Sequence, residues 1–188
     1  MPPFWSLGFQ NSRWGYKNTE DVNQTIQRNL KHKVPLDVQY MDIDYMENRR
    51  DFTYSLTNFQ NLPELIKQTK KDHFLRWALI LDPAIEATSN YLPFTEGYKN
   101  DVFIKWPIDI AKKIKFPPNV PTDKNVLYGK VWPDGPVAFP DFFKNSTKIW
   151  WKQMISELYK KLNFDALWIV SIVYAMSTLI FINVYINI

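Results

Sequence analysis

Apolar and polar positions along this chain repeat with two different periods, and the switches between them lay out its elements. Residues 4–9, Phe-Trp-Ser-Leu-Gly-Phe, form a short apolar run suited to a first strand. Asn18 or Thr19 then caps a helix in which Val22, Ile26 and Leu30 recur every four residues and so share one face. Leu36-Asp37-Val38-Gln39-Tyr40 alternates with period two, which predicts a second strand running into the acidic stretch Asp42-Ile43-Asp44. Pro63 suits the first turn of a second helix reaching about Lys71, with Leu62, Leu65 and Ile66 inward. Trp77-Ala78-Leu79-Ile80-Leu81 is continuously apolar, as a strand covered on both faces must be, and it stops at Asp82-Pro83.

Residues 83–143 show little periodicity and are punctuated by Pro93, Pro107, Pro117, Pro118, Pro121, Pro133, Pro136 and Pro140. A loop of that length in a compact domain is usually functional. A third helix spans residues 147–162, with Trp150, Trp151, Met154, Ile155, Leu158 and Leu162 on one stripe. Residues 164–169 are the fourth strand. The resulting α/β order is strand, helix, strand, helix, strand, long loop, helix, strand. It fits the first half of an eight-fold (β/α)8 barrel, and equally a small doubly wound sheet.

Composition narrows this a little. The 188 residues are 16% aromatic, which suits a sugar-binding cleft and suits a large aromatic core at least as well. The net charge of +4 comes from scattered lysines and the short cluster Lys112-Lys113-Ile114-Lys115, which reads as a solvated loop and not as a nucleic-acid surface. There is no cysteine, and the two histidines, His32 and His73, sit in lysine-rich polar contexts. No disulfide framework, thiolate site or histidine metal centre is expected, and no cofactor. No signal peptide is visible at the N-terminus. Asn23-Gln24-Thr25 and Asn145-Ser146-Thr147 are N-glycosylation triplets, which makes Asn23 and Asn145 candidate sites.

The chemistry-bearing residues gather after the strands. Asp42 and Asp44, two apart, would face the same side of an extended segment, and Asp82 ends the next strand. With Trp14, Trp132 and Trp168 nearby, three carboxylates suggest a polyol site, since carboxylates accept from sugar hydroxyls and indoles cover the apolar sugar face. The competing reading, equally weighted, has these aspartates capping loops and pairing with Arg49 or Arg50. A divalent-metal site from the same carboxylates is weaker.

Longer blocks of sequence are more specific. Pro2-Pro3-Phe4-Trp5-Ser6-Leu7-Gly8-Phe9-Gln10 with Arg13-Trp14-Gly15-Tyr16, then Asp37-Val38-Gln39-Tyr40-Met41-Asp42-Ile43-Asp44-Tyr45-Met46, then Arg49-Arg50-Asp51-Phe52-Thr53, resemble the barrel of glycoside hydrolase family 31. Leu81-Asp82-Pro83-Ala84-Ile85, Gly129-Lys130-Val131-Trp132-Pro133 and Ala138-Phe139-Pro140-Asp141-Phe142 continue the resemblance in order. Residues 101–107 and 142–147 resemble its intestinal maltase-glucoamylase and sucrase-isomaltase subgroup in particular.

The resemblance implies a TIM barrel of which residues 2–169 hold about the first four strands. It also implies a retaining exo-α-glucosidase lineage acting on maltose-type α-glucosides, whose subgroup members are cell-surface or secretory-pathway proteins. It assigns sugar hydroxyl binding to Asp42, the pocket wall to Ile43, ring packing to Ile80, Trp132 and Trp168, the rim to Trp14, and support of the floor to Asp82. After Trp168-Ile169 the family continues Asp-Met-Asn-Glu, whose aspartate is the nucleophile. Here Val170 stands in that place, followed by Ser171-Ile172-Val173. The implied general acid/base lies further along than this sequence extends. The expectation is a family chain that is catalytically dead, with a non-enzymatic sugar-binding remnant or a product without function as alternatives.

Residues 166–188 carry no charge and are long enough to cross a bilayer as a helix, so membrane association is one reading. Asn183 and Asn187 weaken it. Val-Ser is also what the intron-donor sequence GTAAGT encodes, so residues 170–188 read as an unrelated hydrophobic tail derived from an intron. A strand or helix completing a compact fold is the third reading. Oligomeric state is open, and unpaired sheet edges with an apolar tail predict poor solubility.

Overall fold

The computed structural model describes residues 1–169. Residues 170–188, including Val170 and the apolar tail, lie outside the described residues. Four parallel strands, β1 (Phe9–Asn11), β2 (Leu36–Met41), β3 (Arg76–Leu81) and β7 (Ala166–Ile169), form one sheet in the order β1-β2-β3-β7. Consecutive strands are joined by α1 (Thr19–Lys31), α2 (Leu62–His73) and α5 (Asn145–Leu162). Parallel neighbours need such crossovers.

The helices form where their caps allow. The Asn18 side chain accepts the Asp21 N–H at 2.9 Å and opens α1. Pro63 lies in the first turn of α2. Phe74 (φ 56°) and Asn163 (φ 45°) close α2 and α5 in the left-handed region.

The register gives the sheet two distinct faces. Gln39 pairs with Trp77, and Met41 with Leu79, which pairs in turn with Leu167, along the face toward the helices. There Trp77 is fully buried and donates its indole N–H to Thr69 Oγ1 of α2 at 3.0 Å. Replacing such an indole by alanine typically costs about 3–5 kcal/mol. Tyr40, Ala78 and Ala166 form a row on the other face, and Ile80 and Trp168 the next row.

Two expectations change. Residues 4–9 are not a strand: Phe4–Leu7 is a 3-10 turn with Phe4 and Leu7 exposed, and β1 begins only at Phe9. Among the described residues, no layer covers the apolar side chains there. Gly8 passes close against the Asp37 carboxyl, where any Cβ would clash, and Asp37 Oδ2 accepts the Phe9 N–H at 3.0 Å.

Residues 83–143 are also more ordered than their lack of periodicity implies. Three two-residue strands, β4 (Ile85–Glu86), β5 (Tyr128–Gly129) and β6 (Val137–Ala138), make an antiparallel sheet in the order β4-β6-β5. Strands this short leave no periodic signal. With α3 (Leu92–Lys99) and the single turn α4 (Ile108–Ala111), they build an excursion between β3 and α5. It packs through aromatics: Phe103 stacks on Phe94 at 5.5 Å and meets Trp150 of α5 at 6.0 Å.

Candidate functional site

The site builds from the C-terminal ends of β2 and β3. After Met41, Asp42 keeps an extended backbone and the chain then tightens into the 3-10 turn Ile43–Tyr45. The Asp42 carboxylate caps that turn, accepting the Ile43 N–H at 2.7 Å. The turn breaks the strand alternation, so Asp44 does not stand beside Asp42 as its spacing predicts. Its carboxylate instead accepts the Gly15 N–H at 2.7 Å. Gly15 has φ +97°, a conformation that favours glycine, and this bond ties the loop bearing Trp14 to the exit of β2.

Asp82 follows β3 directly and is buried. Its N–H donates to Asp51 Oδ1 at 3.0 Å, and Tyr91 donates its hydroxyl to the Asp51 carbonyl at 2.5 Å. Asp51 is 2% exposed. Asp51 Oδ2 and Asp82 Oδ1 are both buried without a hydrogen-bond partner. Among the described residues, no lysine or arginine comes within ion-pair distance of Asp42, Asp51 or Asp82. Residues 170–188 contain no charged side chain to supply one.

The electrostatic consequence is direct. Burial pushes the Asp51 carboxyl well above the carboxylate range, and the Asp82 charge adds to this against the opposing Asp82 N–H bond. Burial, with the Asp42 charge behind it, pushes Asp82 up to about 6. Asp42 is raised by burial, partly offset by the Ile43 N–H, with Asp44 raising it again.

The pairing of these aspartates with Arg49 or Arg50 does not occur. The Arg50 guanidinium forms an ion pair with Glu86 and lies over the Tyr91 ring at 5.7 Å. Arg49 donates to the Trp132 carbonyl at 3.3 Å and stands 3.9 Å from Asp134.

The apolar members sit as follows. Ile80 and Trp168 are register partners on adjacent strands, and Trp168 meets Tyr40 edge to face at 5.7 Å. Asp42, two residues past Tyr40, continues the same set along β2. Ile43 is buried in the core behind the turn. Trp132 is 49% exposed on the excursion and Trp14 is exposed on the loop after β1. Asn23 lies half-buried on α1, and Asn145 is exposed at the start of α5. The structure thus gathers Asp42, Ile80, Asp82 and Trp168 at one end of the sheet and holds Trp14 and Trp132 on separate loops.

Sequence reasoning gave no role to Asp51, Glu86 or Tyr91. Glu86 had a legible signal: a lone acid inside Ala84-Ile85-Glu86-Ala87 must be buried with a partner or exposed at a break. Asp51 had none, because its importance comes from a contact 31 residues away in sequence.

Comparison with known proteins agrees with this architecture. Residues 1–171 match the family model described as the glycosyl hydrolases family 31 TIM-barrel domain. The human protein named probable maltase-glucoamylase 2 is 43% identical over 90% of this chain, which covers 7% of that protein. Mouse lysosomal alpha-glucosidase is 38% identical over 90% of this chain, covering 16% of its length. A family 31 alpha-glucosidase from Bacteroides thetaiotaomicron superposes with a TM-score of 0.68 at 30% identity, over 90% of this chain and 26% of that one. Glucosidase II alpha subunit, solved with alpha3-Glc2 bound, gives a TM-score of 0.73 at 26% identity, over 88% and 16% of the two chains. This chain therefore spans about a sixth or less of the length of these curated relatives.

Proposed function

Because the chain belongs to glycosyl hydrolase family 31, as part of its TIM-barrel domain, we propose that it carries the sugar-holding half of an α-glucoside site and binds maltose-type oligosaccharides without hydrolysing them. In this reading Asp42 accepts hydrogen bonds from sugar hydroxyls. Ile43, Ile80 and Trp168 form the apolar wall, Trp132 and Trp14 cover the ring and rim, and Asp82 supports the floor. The observation that carries the proposal is the joint placement of Asp42, Ile80 and Trp168 at the C-terminal end of the parallel sheet, where barrels hold their ligands.

The inert part of the proposal rests on Val170. Glycoside hydrolysis needs two carboxyl groups flanking the scissile bond. An isopropyl group in the nucleophile position can neither attack carbon nor move a proton, and loss of such a group costs roughly 10⁴ to 10⁶-fold in rate.

Calorimetric titration with maltose, run beside a glucose-release assay, tests both parts. Binding without release supports the proposal. Absence of binding at millimolar maltose removes the sugar-site reading. Glucose release that disappears on Asp42→Asn overturns the inert reading and makes Asp42 a catalytic residue.

A further inference from the structure

We infer that Lys130 and Glu86 are positioning residues for Trp132, clamping the loop that carries it so that the indole stands as a fixed wall. The inference rests on the reading of Trp132 as part of an α-glucoside site. Trp132 belongs to residues 130–136, which link the paired ends Gly129 of β5 and Val137 of β6. The Lys130 ammonium lies inside this loop and donates to the Pro133 carbonyl at 2.6 Å, to the Gly135 carbonyl at 3.4 Å and to the Asp134 carbonyl. An ammonium has three protons, and three neighbouring carbonyls receive them.

Glu86 holds the loop from the other side. Its Oε1 accepts the Gly135 N–H at 2.8 Å, while its Oε2 pairs with Arg50. Glu86 is buried, and a Cβ on residue 135 would lie 2.5 Å from Glu86 Oε1, so alanine there would push the Glu86 carboxylate from its place. The Pro136 carbonyl accepts the Ala87 N–H at 2.7 Å, and Arg49 donates to the Trp132 carbonyl.

Two features separate this clamp from ordinary loop packing. Each bond made to the loop ends on its backbone, and none of them uses the half-exposed indole of Trp132. Burying a charged pair is also costly where an apolar residue would pack as well, and here the buried Glu86 divides its two oxygens between the loop's Gly135 N–H and Arg50. Arg49 and Arg50 belong to the segment that carries Asp42 and Asp51, so the clamp couples the Trp132 loop to the exit of β2. A ring that is already placed loses less freedom when a sugar stacks on it.

The test uses the full chain with 5-fluorotryptophan incorporated, and 19F NMR with the Trp132 signal assigned by Trp132→Phe. Lys130→Met is expected to move or broaden the Trp132 signal, leave the other tryptophan signals in place, and weaken maltose affinity about tenfold, the scale of one lost charge-assisted hydrogen bond. Gly135→Ala is expected to disturb the same signal from the Glu86 side, so the test does not depend on one variant folding. An unaltered Trp132 signal in both variants overturns the inference, whether or not maltose affinity changes. A Trp132 signal that moves in both variants, with no tryptophan signal responding to maltose in the unaltered chain, upholds the clamp and removes the sugar-site reading instead.

Discussion

Asp51 accepts the backbone N–H of Asp82 at 3.0 Å, and among the described residues neither carboxyl has a lysine or arginine within ion-pair distance. This one bond joins the segment leaving β2 to the residue leaving β3. It brings a second acid against Asp82 in a buried place, where burial raises both carboxyls and the Asp82 charge adds to the rise at Asp51.

Asp51→Asn is expected to keep the joint. An asparagine Oδ1 accepts the same N–H, and the amide is neutral, as Asp51 is when protonated. Stability at pH 7 should stay within about 0.5 kcal/mol of the unaltered chain or rise. Asp51→Ala removes the acceptor and leaves the Asp82 N–H buried, at a cost of about 1–3 kcal/mol. Urea melts of both variants check this, and equal midpoints for the two would mean that the bond contributes nothing.

The raised Asp82 value sets a pH dependence with a definite sign. Its folded value is about 6 against an unfolded value near 4. Between these, the folded state holds more protons than the unfolded one, so stability falls as pH rises. The contribution is complete below about pH 4, is lost progressively through about pH 6, and is flat above. Asp51 contributes with the same sign, because burial and the Asp82 charge raise it against the opposing Asp82 N–H. Melting temperatures of the unaltered chain and of Asp82→Asn across pH 4 to 8 check this. The variant should lose the part of the slope between about 4 and 6.

Much of the fold was legible because its signals are local. Val22, Ile26 and Leu30 mark α1, and Asn18 caps it as its residue type suggests. The continuous apolar run of β3 reports its double coverage. The family blocks supplied the barrel, which the element order alone left level with a doubly wound sheet. What failed to show depends on distant contacts. Phe4 and Leu7 look like strand residues, but among the described residues no element covers them. Asp44 left the Asp42 face because a 3-10 turn, closed by the Asp42 side chain, follows β2 at once. Arg50 chose Glu86 over the aspartates because β4 brings Glu86 beside it, and a two-residue strand has no periodicity to read.

Thr69→Val should destabilise the chain although it keeps shape and size. Thr69 Oγ1 accepts the Trp77 indole N–H at 3.0 Å and donates to the Leu65 carbonyl at 2.8 Å, all of it buried between α2 and β3. Valine leaves the indole N–H unpaired, at about 1–3 kcal/mol. Adding Trp77→Phe to Thr69→Val removes the orphaned donor, so the double variant should lose less than the two single losses added together. A double-mutant cycle by urea denaturation gives this coupling, and strict additivity would mean that the bond is not made.

Asp42→Asn separates stability from binding. Asp42 is held above the usual carboxylate value by burial and by Asp44, against the opposing Ile43 N–H, and no cation repays its charge. Asparagine still accepts the Ile43 N–H and carries no charge, so the variant should be more stable than the unaltered chain at neutral pH and equal to it in acid, once Asp42 is protonated. A carboxylate that accepts from sugar hydroxyls makes charge-assisted bonds, each stronger than the amide can offer. Maltose affinity should therefore fall about 10-fold to 100-fold in the same variant at neutral pH. A gain in melting temperature together with a loss of maltose affinity assigns Asp42 to the ligand. A loss of melting temperature would instead make it a structural cap of the turn after β2, and the sugar site would have to be sought without it.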